Sequence, residues 1–401
     1  MMHSLKALII VVISCGLVLS CSGQKAEKTT LRVNLFPYLP DAAGDGLHGM
    51  AARIKSEFEK QNPSVNLEVT LDKNNDFYSL ANYKDWLTRF DVVEPDTLFL
   101  TDLVKAGLIE DWGSPTQTDW QPPARNAASV NGKIYAFPHW LCGYFLFSRD
   151  PHIAKADNIR DLVAALQTPH GDIPEIAGNL NSSWDTPALY LESWEDNYAP
   201  KDPGEAISAA LDPETIRSLA EFCKQGQWKG KNPCLDKTYK DNSLAPTMFA
   251  KRQVEASFGY SESLFDILRT APGDYSVILS PLVLGNGNHP LVFMDGFVLR
   301  KGCNQDVRAA ARKFADYMQS PRTYVWIVMS QDAGSVTTPR YLIPATVTAF
   351  AVEPLKSDRY YTAIRPAINI SSNFPNAGLP SAHEQMQIGI LKRIAVPALI
   401  P

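Results

Sequence analysis

The sequence predicts a two-lobed α/β fold, and three of its features lead to this prediction. The chain has 401 residues, which is long for one hydrophobic core. Short apolar runs alternate along it with segments of helical spacing, the order that builds an open α/β sheet. Residues 132–150 form a long apolar stretch that Pro138 interrupts, as expected where a chain crosses between two lobes. Ligands of such sheets bind beyond the carboxyl ends of the strands, so we expect a site near this crossing.

The individual elements follow from hydrophobic spacing and from start and stop signals. Strands are predicted where apolar residues alternate or form short runs, at 31–35, 65–71, 134–137, 141–147, 255–260, 275–282 and 292–299. Helices are predicted from apolar residues three or four positions apart or from a start signal, at 50–60, within 150–165, at 212–224 and at 308–319. Residues 179–197 are aromatic and are interpreted as loop-rich. The Asn131-Gly132 pair favours a tight hairpin turn before the crossing.

Composition excludes several classes of partner. The net charge of −5 leaves no basic footprint for nucleic acid and no whole-surface attraction to anionic lipid. The seven histidines are scattered without the pairing that metal ligands show, so we expect no metal and no cofactor. We expect the protein to be a monomer.

The first residues are typical of an export signal. Lys6 precedes an apolar run, 7–19, of signal-peptide length that is too short to span a bilayer comfortably. The segment ends Val-Leu-Ser-Cys at Cys21, which resembles a bacterial lipobox. We therefore expect a lipoprotein-type signal segment at 1–21, a lipid anchor on Cys21 and a polar tether at 22–30. The alternative is cleavage and release, so the chain is either a periplasmic or cell-surface lipoprotein or a secreted protein.

Two further cysteines, Cys223 and Cys234, lie close together in the sequence, in a chain expected in a compartment that permits disulfides. They could pair, but the sequence alone does not show that their Cβ atoms meet.

The order of elements resembles that of the extracytoplasmic solute-binding proteins of ABC transporters. The matching pieces are the first strand at 31–35, the turn at 131–135 before the crossing, and the late strand at 293–299 with its following helix. This resemblance implies a type II periplasmic-binding-protein fold with a ligand cleft between two lobes. We place the lobe boundaries approximately; lobe 1 covers 31–141 and 297–345, and lobe 2 covers 142–296 and 346–401.

Three strings give a more specific resemblance, to the thiaminase I (thiamine pyridinylase) family. They are Leu-Arg-Val-Asn-Leu-Phe-Pro-Tyr-Leu-Pro-Asp at 31–41, Pro-His-Trp-Leu-Cys at 138–142, and Phe-Gly-Tyr-Ser-Glu-Ser at 258–263. They occur in the family's order and span most of the chain that follows the signal segment.

Cys142 matches the nucleophile of that family. The resemblance implies that its thiolate adds to the pyrimidine ring of thiamine. A thiolate suits this chemistry because it is a strong nucleophile near neutral pH and also a leaving group. The alternative interpretation is an inert buried cysteine, which is the commoner role of a lone cysteine.

Glu262 matches the family's acid/base, which would take the thiol proton and later return one. One alternative is a glutamate that only stabilises the start of a helix. A second alternative is a hydrolase nucleophile elbow at 259–263 with Ser261 as nucleophile. That motif lacks its last glycine, and His289 and His383 have no defined place in a triad.

Asp96 and Asp295 match acidic residues of the family's pocket, where carboxylates would orient an aminopyrimidine and stabilise its charge. The alternatives are a helix cap for Asp96 and a turn residue for Asp295. Three aromatic residues, Tyr38, Trp140 and Tyr260, are expected to stack on the substrate or line the cleft, although aromatic residues are more often core. The chain departs from the family at Phe36, Phe293 and Gly143-Tyr144; the first two replace tyrosines.

The function implied by the resemblance is a thiamine-degrading transferase that replaces the thiazole of thiamine with a base or thiol. Its partners would be thiamine, or a pyrimidine derived from it, and a small nucleophile. The alternative is a non-catalytic solute-binding lipoprotein of an ABC importer for thiamine or a related pyrimidine. Such a protein would need aromatic and acidic side chains but no thiol beside a carboxylate.

Overall fold

The computed structural model of this chain describes residues 27–113, 119–167, 173–208, 210–334 and 338–396. The expected signal segment, its Cys21 and residues 22–26 of the tether lie outside the described residues.

The strands are short except for two long ones near the middle of the sheet. They are β1 (Thr29–Asn34), β2 (Val65–Thr70), β3 (Val92–Val93), β4 (Ile109–Glu110), β5 (Ser129–Val130), β6 (Lys133–Ile134), β7 (Ala136–Ser148), β8 (Ile176–Ala177), β9 (Ala256–Tyr260), β10 (Ile278–Pro281), β11 (Leu291–Arg300), β12 (Ile343–Pro344) and β13 (Ser372–Asn373).

The α-helices pack around this sheet. They are α1 (His48–Gln61), α2 (Leu80–Arg89), α3 (Leu100–Lys105), α4 (Pro122–Ala127), α5 (Pro151–Ala154), α6 (Ile159–Leu166), α7 (Asp185–Tyr198), α8 (Gly204–Ser208), α9 (Pro213–Gln225), α10 (Leu244–Ala250), α11 (Ser263–Thr270), α12 (Gln305–Met318), α13 (Pro321–Val328), α14 (Arg359–Ile370) and α15 (Leu379–Ala395). Short 3₁₀ turns lie at Thr97–Phe99 and Thr348–Ala351. Within the described ranges, no helix is long and apolar enough to cross a membrane.

The main sheet has the order β2-β1-β3-β11-β7-β9-β8. Strand β1 is parallel to β2 and β3, and β11 runs antiparallel to both β3 and β7. The first part of β7, up to Gly143, pairs with β11, and its second part, from Tyr144, pairs with β9 and β10. Strand β7 therefore belongs to both halves of the structure, and Cys142 lies next to the point where it passes from one half to the other.

The break predicted at Pro138 is wrong, because β7 is one continuous strand. The predicted strand 134–137 is divided between β6 and the start of β7, and 141–147 is the rest of β7. Opposite β11, Trp140 pairs with Asp295 and Pro138 pairs with Gly296, which leaves one extra residue in β7. Proline is compatible with a strand at such a bulge because the ladder is already interrupted there.

The predicted hairpin turn is confirmed, since Asn131 and Gly132 join β5 to β6 with φ angles of 51° and 75°. Positive φ at both central residues is the requirement of the tight turn that the Asn-Gly pair favours.

The loop predicted at 179–197 is also wrong, because most of it forms α7. Every residue of this helix from Asp185 to Asp196 is buried, including its polar ones. A helix that is buried on all sides has no polar face, so the periodic pattern that reveals surface helices is missing.

Acidic residues of α7 bind the backbone that leads into β11. Asp196 accepts hydrogen bonds from the Leu284 and His289 amides, both at 2.7 Å. Glu192 accepts one from the Leu291 amide at 3.0 Å. Through these hydrogen bonds α7 fixes the start of the strand that carries Asp295.

The burial of Asp196 makes stability depend on pH. Burial raises the pKa of Asp196 from 3.8 to about 7, against three backbone hydrogen bonds that lower it. Between these two values the folded chain holds a proton that the unfolded chain has released, so stability falls as pH rises. We expect the Tm, measured calorimetrically, to fall from pH 5 to pH 8. In Asp196→Asn this fall should be smaller, although Tm at pH 5 is lower; an unchanged slope would contradict the assignment.

The remaining predicted elements are confirmed with shifts of a few residues at their ends. Strand β1 begins at Thr29, so the last two residues of the predicted 22–30 tether pair with β2. Met50, Ile54 and Phe58 of α1 are buried as their spacing predicted. Cys223 and Cys234 form a disulfide, with Cα atoms 5.8 Å apart.

Candidate active site

A cleft of about 700 Å³ opens where β7 passes between the two halves. Six of the seven side chains predicted for catalysis or substrate binding line it: Tyr38, Asp96, Cys142, Tyr260, Glu262 and Asp295. They come from the ends of β1, β3 and β9 and from the middle of β7 and β11. A pocket with a few convergent polar groups on an otherwise apolar wall is the usual form of a small-molecule site.

Trp140 is the exception among the predicted residues. It is 3% exposed and packs against the rings of His139 and Tyr324 at centroid distances of 4.2 and 5.1 Å. The structure places it in the core next to Asp295, its partner in the ladder, and not among the residues that line the cleft.

Cys142 and Glu262 are in contact. The Sγ atom of Cys142 lies 3.6 Å from Oε1 and 3.9 Å from Oε2 of Glu262, so the thiol can donate to the carboxylate. Cys142 is held by the pairing of β7 with β11, and Glu262 follows the end of β9. Glu262 stands at the start of α11, but its side chain makes no capping hydrogen bond there. The structure therefore turns this carboxylate toward the thiol.

The surroundings of this pair keep the resting thiol protonated. Burial raises the pKa of Cys142 well above its ordinary value, and the negative charges of Glu262, Asp295 and Asp96 raise it further. Burial also raises the pKa of Glu262, while hydrogen bonds, including that from Cys142, partly offset this rise. A thiol of high pKa needs a base in contact with it to become a nucleophile, and Glu262 occupies that position.

The hydrolase elbow is excluded by the position of Ser261. Strand β9 and helix α11 do provide the strand-turn-helix that an elbow requires. However, Ser261 is fully buried, and its hydroxyl donates to the carbonyl oxygen of Tyr341 at 2.7 Å. Its candidate partner His383 stacks on Trp184 at 3.9 Å instead. Ser261 is not among the residues that line the cleft.

Asp96 and Asp295 lie side by side on the cleft wall, where their backbones form an isolated β-bridge. Burial raises the pKa of Asp96 to about 7. Burial, followed by the charge of Asp96, raises the pKa of Asp295 well above its ordinary value. Asp96 also accepts a hydrogen bond from the Leu98 amide at 2.9 Å, so it caps a short helix and faces the cleft at once. Both carboxyl groups therefore keep a proton at higher pH than a free carboxylic acid does, and a protonated carboxyl group can donate a hydrogen bond as well as accept one.

A buried Glu94–His139 pair supports this region and was missed by the sequence analysis. His139 Nδ1 is in direct contact with a Glu94 carboxylate oxygen, and both side chains are 2% exposed. The other Glu94 oxygen accepts from the Phe36 amide at 3.1 Å. The pair thus ties the segment after β1 to β7.

Aromatic rings form much of the remaining wall. Tyr38 stacks on Tyr78 with ring centroids 5.7 Å apart, and Tyr78 contacts Trp184 at 5.1 Å. Tyr78 was not predicted from the sequence, although its position shortly after β2 is where ligand-binding residues collect in such sheets. Trp184 was not predicted because the segment around it was interpreted as loop-rich. Phe36 and Phe293 both line the cleft, so the two positions where the sequence resemblance implies a departure from the family fall on the site itself.

Within the described part of the chain, no three His, Cys, Asp or Glu side chains are arranged to hold a metal ion.

This fold and site define the class of the protein. The chain belongs to the family of bacterial extracellular solute-binding proteins, which residues 54–342 match. Within that class, the chain is 28% identical to Thiaminase-1 of Paenibacillus thiaminolyticus over 388 residues, which is 92% of this chain and 88% of that protein.

Solved structures agree with this relationship. Thiaminase I from Bacillus thiaminolyticus matches with a TM-score of 0.71 at 25% identity, over 91% of this chain and 99% of that one. Clostridium botulinum thiaminase I in complex with thiamin matches with a TM-score of 0.71 at 19% identity, over 91% and 100%. The predicted resemblance and the predicted two-lobed binding-protein fold are both confirmed.

Proposed function

We propose that this protein is a thiamine-degrading transferase of the thiaminase I type. The contact between Cys142 and Glu262 is the observation that carries the proposal, because ligand binding alone needs no thiol beside a carboxylate. The 28% identity to Thiaminase-1 over most of both chains supports thiamine as the substrate. The complex of the Clostridium botulinum enzyme with thiamin supports binding in this fold.

The first half of the reaction forms a covalent intermediate. Thiamine is a pyrimidine joined through one methylene to a thiazolium. Glu262 accepts the thiol proton of Cys142, and Sγ forms a bond to a pyrimidine ring carbon. The displaced electron pair moves to a ring nitrogen. The bond from the methylene to the thiazolium nitrogen then breaks, its electron pair stays with that nitrogen, and neutral thiazole leaves.

In the second half of the reaction, the incoming nucleophile takes the place of thiazole and Cys142 is released from the pyrimidine. The incoming base or thiol forms a bond to the methylene carbon, and electrons return through the ring. The Cys142–carbon bond breaks as the ring regains aromaticity, and the departing thiolate recovers its proton from Glu262. A nucleophile that carried a proton, such as an amine, releases it to solvent.

Asp96 and Asp295 suit the pyrimidine in this scheme. The aminopyrimidine offers an amino donor and a ring nitrogen that becomes more basic as the thiolate adds. One ionised and one protonated carboxyl group can face these two groups and stabilise the charge on the ring. Burial raises the pKa of both residues. The same burial would strengthen their hydrogen bonds to the substrate.

A thiamine-binding protein for an ABC importer is the second candidate, and membership of the solute-binding family favours it. An assay of thiazole release distinguishes the enzyme from the binding protein. Purified protein is mixed with thiamine and with either pyridine or an aniline. We expect release of thiazole at a rate that depends on the nucleophile. Tight binding of thiamine without thiazole release by any nucleophile would establish the binding role instead.

We also propose export and a lipid anchor on Cys21, motivated by the Val-Leu-Ser-Cys string and the polar residues after it. Mass spectrometry of the mature protein from its native host should find a lipid-modified Cys21 at the amino terminus. An unmodified terminus that begins after Cys21 would show release in place of anchoring.

A further inference from the structure

A buried carboxylate behind the cleft wall, that of Asp185, accepts four hydrogen bonds. Its Oδ1 accepts from the hydroxyls of Tyr144 at 2.8 Å and Tyr260 at 3.0 Å. Its Oδ2 accepts from the hydroxyl of Ser182 at 2.5 Å and the side-chain amide of Asn179 at 2.9 Å. Asp185 is 7% exposed and does not line the cleft, so it does not reach a ligand there.

Each of three cleft-lining side chains is connected to Asp185. Tyr260 is bonded to it directly. Asn179 uses the same amide to donate to Asn242 Oδ1 at 3.0 Å, and Asn242 lines the cleft. Trp184, also on the wall, is the residue before Asp185 in the chain. One carboxylate thus holds Tyr260 directly and Asn242 through Asn179, both on the same wall.

The geometry of Tyr260 shows what this arrangement does. Its hydroxyl donates a hydrogen bond to Asp185 and lies 2.9 Å from the Tyr144 hydroxyl, so its hydrogen-bond partners are groups of the protein itself. The Tyr144 ring stacks against the Tyr260 ring at 4.7 Å with a 29° angle between planes. The hydroxyl and the ring plane of Tyr260 are therefore both held from behind, and its ring is what remains available to a ligand.

We propose that Asp185 is a positioning residue that sets the Tyr260 ring for the substrate pyrimidine. The proposal rests on the thiamine site proposed above. Burial raises the pKa of Tyr144 and of Tyr260, and the negative charge of Asp185 raises both further. Their hydroxyls therefore stay protonated and can donate.

Two substitutions test the role through KM. Tyr260→Phe keeps the ring and removes its tether, and Asp185→Asn keeps the shape and removes the charge. Each should raise KM for thiamine about tenfold, since a hydrogen bond to a charged group contributes this much, while kcat stays within about threefold. Tyr198→Phe is the matched control, because it also removes a tyrosine hydroxyl that donates to an aspartate, Asp212, at 3.0 Å. Tyr198 lies at the end of α7 opposite to Asp185. An unchanged KM in Tyr260→Phe overturns the proposal.

A double-mutant cycle separates positioning from a general loss of stability. If Asp185 acts through the two hydroxyls, Asp185→Asn should have no further effect on KM once Tyr144 and Tyr260 are both phenylalanine. An equal effect of Asp185→Asn in both backgrounds overturns the proposal. Failure of Asp185→Asn to fold leaves Tyr260→Phe as the deciding variant.

The outcome for the wild type distinguishes this proposal from the proposed function. Wild type that turns thiamine over, with Tyr260→Phe unchanged in KM, leaves the function intact and rejects the positioning role. Wild type that binds thiamine without turnover rejects the enzyme, and the same variants are then compared by their Kd for thiamine. Wild type that neither binds nor turns over thiamine rejects both.

Discussion

Replacement of Cys142 by serine is expected to abolish the release of thiazole while thiamine binding is retained. The hydroxyl of serine has too high a pKa to ionise with a carboxylate as its base, and an alkoxide leaves far less readily than a thiolate. The change removes little volume from a side chain that lies on the cleft wall, so the pocket keeps its shape. Thiazole release reports the chemical step, and equilibrium dialysis with thiamine reports binding.

Cys303→Ser is the matched control for this substitution. Cys303 is the other free cysteine of the described chain, is partly buried like Cys142, and does not line the cleft. It should keep full activity. If Cys142→Ser turned over normally, the mechanism proposed here would be wrong even if the protein is an enzyme.

Replacement of Glu262 by glutamine is expected to lower kcat by about 10²–10⁴-fold, the usual contribution of a general base. The amide can still contact the Cys142 thiol, which lies 3.6 Å from the present carboxylate, but it cannot take its proton. KM should change little, because the loss falls on a proton transfer made during the reaction. Steady-state kinetics with thiamine and a fixed nucleophile measures both constants.

Glu221→Gln provides the control for Glu262→Gln, because Glu221 is a half-exposed residue of α9 paired with Lys224. Surface ion pairs of this kind contribute little, so its kinetics should match the wild type. Equal activity of Glu262→Gln and wild type would remove Glu262 from the mechanism and leave the thiol without a base.

The fold could be predicted where the sequence pattern is local. The buried face of α1 and the Asn131-Gly132 turn each depend on a few neighbouring residues and were predicted correctly. The continuity of β7 through Pro138 depends on a bulge formed with β11, which lies far away in the sequence. Helix α7 was missed because its burial on all sides erases the polar face that marks a surface helix.

In the candidate site, too, the residues that stand in a recognisable local string were predicted, and those defined by distant contacts were not. Short strings around Cys142 and Glu262 identified the pair, although 120 residues separate them and only the pairing of β7 with β9 brings them together. Tyr78 and Asp185 carry no such string. Their roles come from packing and from hydrogen bonds to distant residues, which one sequence does not display.

Analysis of the products tests the central claim most directly. Wild-type protein is incubated with thiamine and pyridine, and all small molecules are quantified by mass spectrometry. We expect one free thiazole and one pyrimidine bearing pyridine on its methylene for each thiamine consumed, and neither product from Cys142→Ser at equal thiamine occupancy. Thiamine that is bound by the wild type but recovered intact would contradict the account.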